Sequence, residues 1–475
     1  MRDLRLIPIL CLLLTPLGCA TNPVTGQSEL SLVSQSQEIA MGKQSAEDVA
    51  ASIGLYPDSA VQRYVTSLGK SLALHTERPN LPWQFAVVDD PAVNAFALPG
   101  GYIFVTRGLL AHMTNEAELA TVIGHEAGHV AAKHSVKQMS EQQLATIGLG
   151  IGMAVSKDVA QYAGVAQAGL GILFLKFSRD DERQADQLGF KYALADSFDV
   201  RQMVPVFQML DGVGKLAGGS KLPEWQSTHP DPQNRVAATN ARLAAVTADL
   251  SKYTVGRERY LKVIDGMVYG DDPRNGYFEG TLFIAPALKF QYQFPDGWKT
   301  QNRADAVLGV SAAQDALIEL RVVDGPAAAA FKKFMSQQGV KEGKGSAIAL
   351  HGAPALMAEF TAQEQGQTAL HGIATFIEYG GLTYRVLQYS TEAQFAAYNM
   401  PFVRSLASFD RLTDPKALAA QPMRVHVETV KKAMTLAQYN QLYPSAIPIA
   451  ELALINGVEP GTSLNAGQLV KRVMK

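Results

Sequence analysis

Apolar positions between residues 35 and 135 recur mainly at helical spacing. Val61, Tyr64, Val65, Leu68 and Leu72 follow i, i+3, i+4, i+7, i+11 and predict an amphipathic helix laid over a core. Residues 35–53 predict another, with Ile39, Met41 and Val49 turned inward. Residues 84–88, 95–98 and 102–106 read as strands, the last two joined by Pro99-Gly100-Gly101. Helix resumes at 109–113 and 116–134, where Asn115 is placed to cap the longer segment. The runs 144–156 and 162–177 are rich in Ala, Gly, Ile and Leu and are split by Lys157 and Asp158. Each is shorter than the roughly 20 residues that cross a bilayer, so the pair predicts a helical hairpin, packed on the core or dipping toward a membrane surface.

Past residue 245 the pattern changes. Residues 251–280 read as a linker around Gly270-Asp271-Asp272-Pro273. Alternation then predicts strands at 283–294, 306–310, 317–323, 355–361, 369–379 and 382–389, with helices at 327–338 and 391–406. Residues 415–422 link to a last module at 423–475. The expected fold class is α+β: a mainly helical domain with a small edge sheet, then an α/β sandwich, then a small C-terminal module. The expected boundaries are 22–250, 281–412 and 423–475. A length of 475 residues agrees with roughly three domains.

Composition narrows the class. Hydrophobic residues make up 47% of the chain and charged residues 18%, enough to bury a core, and a net charge of −2 argues against nucleic acid as the main partner. Arg2 and Arg5, then apolar residues 6–14, then Thr15-Pro16-Leu17-Gly18-Cys19 form a bacterial lipoprotein-like signal. Cleavage before Cys19 would leave a lipid-bearing cysteine. Pro16 departs from the leucine usual in such signals, so a plain secretory peptide or an uncleaved anchor stays open. Cys11 and Cys19 are the two cysteines, and with Cys11 lost no disulfide is available.

The candidate chemistry lies in TVIGHEAGHVAAKHS, residues 121–135. His125 and His129 in H-E-x-x-H stand within about 40° of each other on a helix, so both imidazoles can reach one metal ion. Two neutral imidazoles suit zinc, and Glu126 is placed to act as the base toward water. His134, five residues beyond His129, would lie about 140° further round and is not expected as a ligand. Glu182 and Asp186, four apart in SRDDERQAD, share a helix face. One reading makes Glu182 the third zinc ligand and Asp186 the acceptor that orients a histidine ring. The other is a solvated acidic face tied to Arg179 and Arg183. In STHPDPQNR, Pro230 fixes a turn after His229, which could hydrogen-bond an oxyanion, occupy the metal's open position, or simply lie on the surface.

HEAGH, SRDDERQAD and STHPDPQNR, with NAFALPGGYIFVTRGLL and NPVTGQSELSLVSQSQEIAMG upstream, together resemble the gluzincin zinc metallopeptidases related to HtpX and the CAAX prenyl protease. The nearest branch is periplasmic, similar to BepA and LoiP, and the resemblance covers about residues 22–245. It implies one zinc held by His125, His129 and Glu182, Glu126 as catalytic base, Asp186 behind a ligand, and His229 and Arg235 near the metal's open face. It also implies quality control of misfolded or unassembled envelope proteins, at a membrane reached through lipid on Cys19. The helical repeats common in that branch are missing here, since no self-similarity appears at their roughly 34-residue period. Residues 281–412, with an F-P-x-G-W turn, resemble PsbP- and Mog-like sandwiches, and residues 423–475 resemble a LysM module, which implies possible contact with cell-wall glycan. The implied function is a zinc endopeptidase. The alternative is an assembly chaperone whose zinc site is closed by His229.

Overall fold

The computed structural model describes residues 19–140, 177–216, 229, 232–363 and 368–475. The signal-like residues 1–18, nearly all of the apolar hairpin at 144–177 and most of the turn around His229 lie outside the described residues. Among the described residues, no helix is long and apolar enough to cross a membrane.

Strands β1 (Cys19–Thr21) and β2 (Ser28–Leu30) pair antiparallel. Asn22 at their turn accepts from Val24 N at 2.8 Å, and its amide donates to Glu29 at 3.0 Å and to Ala132 O at 3.3 Å. This stretch is therefore a docked hairpin. Helix α1 (Gln35–Ser52) starts in a capping box of Ser34 and Gln37 and lies flat on the Pro99-Gly100-Gly101 turn. A Cβ on its Gly42 would fall 1.8 Å from Pro99 O. From α1 the buried Glu38 takes two bonds of 2.8 Å from Arg78, whose guanidinium also donates to Val130 O at 3.0 Å. Helix α2 (Ser59–Ala73) buries Val61, Val65, Leu68 and Leu72, the stripe the sequence predicts.

Strands β3 (Gln84–Val88), β4 (Ala95–Leu98) and β5 (Tyr102–Thr106) form a sheet in the order β3-β5-β4, with β3 parallel and β4 antiparallel to the fully buried β5. Helix α3 (Arg107–His112) leads into α4 (Glu116–Ala131), capped by Asn115 and buried at every position. A helix enclosed on all sides must be packed by others. Helix α5 (Arg179–Ala195) supplies most of that cover, with α2, β4 and α6 (Met203–Leu216) around the rest, and α7 (Pro232–Ala244) packs in turn on α6.

The expected linker at 251–280 is instead part of this core. Its helix α8 (Arg257–Ile264) buries Tyr260, Leu261 and Ile264 completely, an apolar face at helical spacing inside a polar stretch. Its strand β6 (Val268–Tyr269) joins a three-stranded sheet with strands from residues 423–475.

Residues 277–411 form two antiparallel sheets. The smaller runs from β7 (Tyr277–Glu279) through β8 (Leu282–Ala285) and β9 (Phe290–Gln293), and the larger contains β10 (Lys299–Asn302), β11 (Val307–Val310) and β12 (Ala316–Val323). The single strand expected at 283–294 is thus a hairpin, because Pro286 cannot donate to a ladder and the chain turns at Lys289 with φ 58°. After helix α9 (Ala327–Met335), the larger sheet continues with β13 (Val340–Leu350), β14 (Ala353–Ala362), β15 (Leu370–Tyr379) and β16 (Leu382–Thr391). Phe334 of α9 packs on Phe360 and Phe376, while helix α10 (Phe395–Ala407) sets Phe402 against Trp298 from the other face. Strand β17 (Asp410–Arg411) closes the smaller sheet beside β9.

The C-terminal module begins with β18 (Met423–Thr429), which pairs with β6 and with β21 (Leu469–Met474). Between them stand β19 (Met434–Thr435), helices α11 (Leu436–Leu442) and α12 (Ile449–Asn456), and β20 (Ser463–Leu464). Lys471 of β21 is fully buried and donates to Ala111 O at 2.8 Å and Met113 O at 2.6 Å, at the end of α3. Removing such a donor leaves two buried carbonyls unanswered. Lys471→Met is expected to destabilise the helical domain by about 1–3 kcal/mol, read as a lower midpoint in urea unfolding, whereas a surface variant such as Lys475→Met leaves the midpoint in place.

Candidate metal centre

Three segments build the site, and a close helix crossing aligns two of them. On α4, Gly124 and Gly128 face α5; a Cβ at Gly124 would sit 3.0 Å from Gly189 O, and one at Gly128 would sit 3.0 Å from the Leu188 Cβ. With backbones this near, Glu182 and Asp186 of α5 reach the histidines of α4. Residue 229 and α7 add His229 and Arg235 from a third side.

The donor atoms converge. His125 Nε2 and His129 Nε2 are 3.0 Å apart, and His129 Nε2 lies 3.4 Å from Glu182 Oε1. His229 Nδ1 is 2.8 Å from Glu182 Oε1 and 3.4 Å from His125 Nε2, and the four donors all fall within 4.8 Å of one another. Ligands around a tetrahedral zinc with bonds near 2.0–2.1 Å stand roughly 3.3 Å apart. All four side chains are buried, and Glu182 Oε2 has no hydrogen-bond partner among the described residues. Donor chemistry and spacing therefore fit one zinc ion, with His125, His129 and Glu182 as the three ligands and His229 in the fourth direction.

Behind the donors stands a second charge layer. His125 Nδ1 donates to Asp186 Oδ1 at 2.9 Å, which fixes its Nε2 as the free lone pair. Arg235, expected near the open face, donates to Asp186 with bonds of 2.8 and 2.5 Å and sets Nη1 3.4 Å from Glu182 Oε2, while its guanidinium lies 4.4 Å from the Phe207 ring. Burial works to raise the Asp186 carboxyl, but the Arg235 charge and the bond from His125 outweigh it and hold the group well below the usual range. Burial likewise opposes the Glu182 charge and is overcome by His229 and His129. His125 and His129 are pushed down by burial, which keeps them neutral and fit to bind metal. His229 moves the other way, since burial is outweighed by Glu182.

Glu126 differs from the other carboxylates. It is buried, its Oε1 has no hydrogen-bond partner among the described residues, and His229 Nε2 stands 3.8 Å from it. Desolvation pushes its carboxyl up to about 7. Phe177 stacks on His129 with ring centroids 4.1 Å apart and covers that side of the cluster.

His125, Glu126, His129, Glu182, Asp186, His229 and Arg235 are thus brought together here, and one more residue joins them. His134 Nδ1 lies 2.9 Å from His129 Nδ1 and its Nε2 lies 2.8 Å from Gln184 Oε1. Uninterrupted helix would have carried His134 away, but α4 stops at Ala131 and Lys133 takes φ 58°, after which residues 134–140 restart as helix. No residue type in AAKHS signals that break.

The crossing itself can be tested. A Cβ at Gly189 would meet His125 N at 2.6 Å. Gly189→Ala is expected to destabilise the domain by about 1–3 kcal/mol and to weaken zinc binding, measured by thermal unfolding and chelator competition, because the two helices must part.

Residues 59–243 match the model of peptidase family M48. A beta-barrel assembly-enhancing protease of Yersinia pestis is 30% identical over 262 residues, 53% of this chain and 52% of that protein. The mitochondrial metalloendopeptidase OMA1 of Arabidopsis thaliana is 35% identical over 181 residues, 38% of this chain and 35% of that protein. Among solved structures, cyanobacterial PsbP from Synechocystis sp. matches 28% of this chain and 94% of its own at 15% identity, with a TM-score of 0.24. The chain spans about half the length of the first of these relatives and less of the second. Family match, curated relatives and a converging His-His-Glu set agree on one reading, a metallopeptidase domain of the M48 type over residues 59–243.

Proposed function

We propose that the domain is a zinc-dependent endopeptidase acting on unfolded or unassembled proteins of the bacterial envelope. The observation that carries this reading is Glu126, a buried carboxylate whose Oε1 has no hydrogen-bond partner among the described residues, set beside converging metal donors. A purely structural zinc site has no use for such a group. A zinc ion held by His125, His129 and Glu182 would polarise the scissile carbonyl and bring the pKa of its water to about 7. Glu126 takes the proton from the attacking water and returns it to the leaving amine nitrogen. Asp186, braced by Arg235, holds the His125 ring in its binding tautomer. Strand β4 packs on α4, and its outer edge pairs with no strand among the described residues. An extended substrate can add there through backbone hydrogen bonds, a mode that reads little side-chain sequence and suits unfolded chains.

The wider setting rests on the lipoprotein-like segment ending at Cys19 and on likeness to proteins named for beta-barrel assembly. These support a periplasmic enzyme anchored by lipid, most simply to the outer membrane, with residues 277–411 and 423–475 selecting or holding substrates and the last module in reach of cell-wall glycan. Cleavage of an unfolded model protein by the zinc-loaded chain beginning at Ala20 tests the chemistry. The wild type is expected to cleave and Glu126→Gln to lose about 100-fold or more in kcat while retaining one zinc. Equal inertness of both, each with zinc bound, would sink the peptidase reading.

A second reading is favoured by His229, whose two ring nitrogens face Glu182 and Glu126 at 2.8 and 3.8 Å. Placed so, it covers the base and closes the metal's fourth direction, leaving a resting enzyme or a binding protein. His229→Ala is expected to raise peptide cleavage several-fold in steady-state assays. A fall instead would assign the ring to stabilising the oxyanion.

A further inference from the structure

His134 belongs to none of the roles described so far, yet it is 3% exposed and makes hydrogen bonds from both ring nitrogens. The direction of those bonds can be worked out from either end. Gln184 Oε1 only accepts, and Asp181 Oδ1, 3.7 Å from the same nitrogen, also only accepts. His134 Nε2 therefore carries the proton, and His134 Nδ1 offers a lone pair. From the other end, His129 Nε2 faces the donor cluster, with His125 Nε2 at 3.0 Å and Glu182 Oε1 at 3.4 Å, and must keep its lone pair free to bind metal. Its proton then sits on Nδ1, pointing at His134 Nδ1 across 2.9 Å. The two deductions meet in one chain of donors: His129 Nδ1–H to His134 Nδ1, and His134 Nε2–H to Gln184 Oε1.

We infer that His134 is a positioning residue that holds the His129 ring in its metal-binding tautomer and orientation, with Gln184 fixing His134 in turn. His125 has a carboxylate, Asp186, for this purpose, whereas His129 has a neutral imidazole relayed to an amide. The backbone turns here: Lys133, a non-glycine residue at φ 58°, ends the motif helix directly before His134, and the change of direction returns His134 to the side of His129. Lys137 adds to the enclosure by standing 3.6 Å from Asp181.

The inference rests on His129 being a zinc ligand, and the test keeps the two apart. Zinc affinity of the full chain is measured by chelator competition, with thermal unfolding of the metal-free protein as a second readout. His134→Leu is expected to bind zinc about 10–100-fold more weakly, as loss of such outer partners does elsewhere. His134→Asn, whose side-chain oxygen falls near the position of Nδ1, is expected to recover most of that loss. Gln184→Leu is expected to lose several-fold, and serves where His134→Leu does not fold in its metal-free form. Unchanged affinity in both His134→Leu and Gln184→Leu would overturn the inference, as would His134→Asn binding no better than His134→Leu. A wild type that takes up no zinc would overturn the metal centre itself.

Discussion

Everything in the metal centre depends on how closely α4 and α5 approach. Zinc ligands must meet within a few ångströms, and carboxylates are short, so Glu182 can reach His129 only if the two backbones nearly touch. Gly124, Gly128 and Gly189 permit that contact, and any side chain at Gly189 would strike the amide of His125. The cost of three glycines in helix interiors, roughly 1 kcal/mol each relative to alanine, is met by burial on both helices. A helix buried at every position, as α4 is, cannot slide along its partner without disturbing packing all round.

Close approach creates an electrostatic problem that the second layer solves. Glu126, Glu182 and Asp186 are all withdrawn from water within one small volume. An isolated buried carboxylate takes up a proton and ceases to be a ligand. Asp186 is answered by two bonds from Arg235, whose own charge rests on the Phe207 ring, and Glu182 is answered by the histidines. Glu126 is left with the least compensation, and its carboxyl rises accordingly to about 7. The group least stabilised as an anion is thus the one placed to exchange a proton, which is the arrangement general base chemistry at neutral pH requires.

What the sequence reveals follows from which geometry is local. His125 with His129, and Glu182 with Asp186, are readable because helical spacing alone puts each pair on one face. That the two faces meet is not local, and it came from resemblance rather than periodicity. His134 illustrates the limit: helical spacing sends it away from the site, and a helix break at Lys133 brings it back. In the second half, buried strands such as β12, β15 and β16 fall where alternation predicts them. β13 escapes notice because most of its residues are exposed and glycines interrupt it, so no buried face leaves a pattern. Residues 251–280 mislead in the opposite sense, since proline, glycine and aspartate around a single buried helix imitate a linker.

That misreading matters for how the modules relate. The start of α4 is held largely by residues from far along the chain. Arg257 donates to Thr114 O at 3.2 Å and to Leu469 O at 3.3 Å, Arg259 pairs with Glu116, and Lys471 seals the end of α3 two residues before the Asn115 cap. Glu118, one turn into α4, folds back to take bonds from the Thr114 amide and hydroxyl at 2.6 Å each. The motif helix is therefore clamped at its N-terminal end by residues 257–264 and 469–474, and at its other end by Asn22 on Ala132 and Arg78 on Val130. The first clamp combines the Arg259–Glu116 pair with bonds to the carbonyls just ahead of the helix, and the second acts on the carbonyls of its last turn. A module that supplies one of the two clamps shares its folding free energy with the site, so changes in residues 423–475 act on the metal ligands through the position of α4 as well as through any partner the module holds.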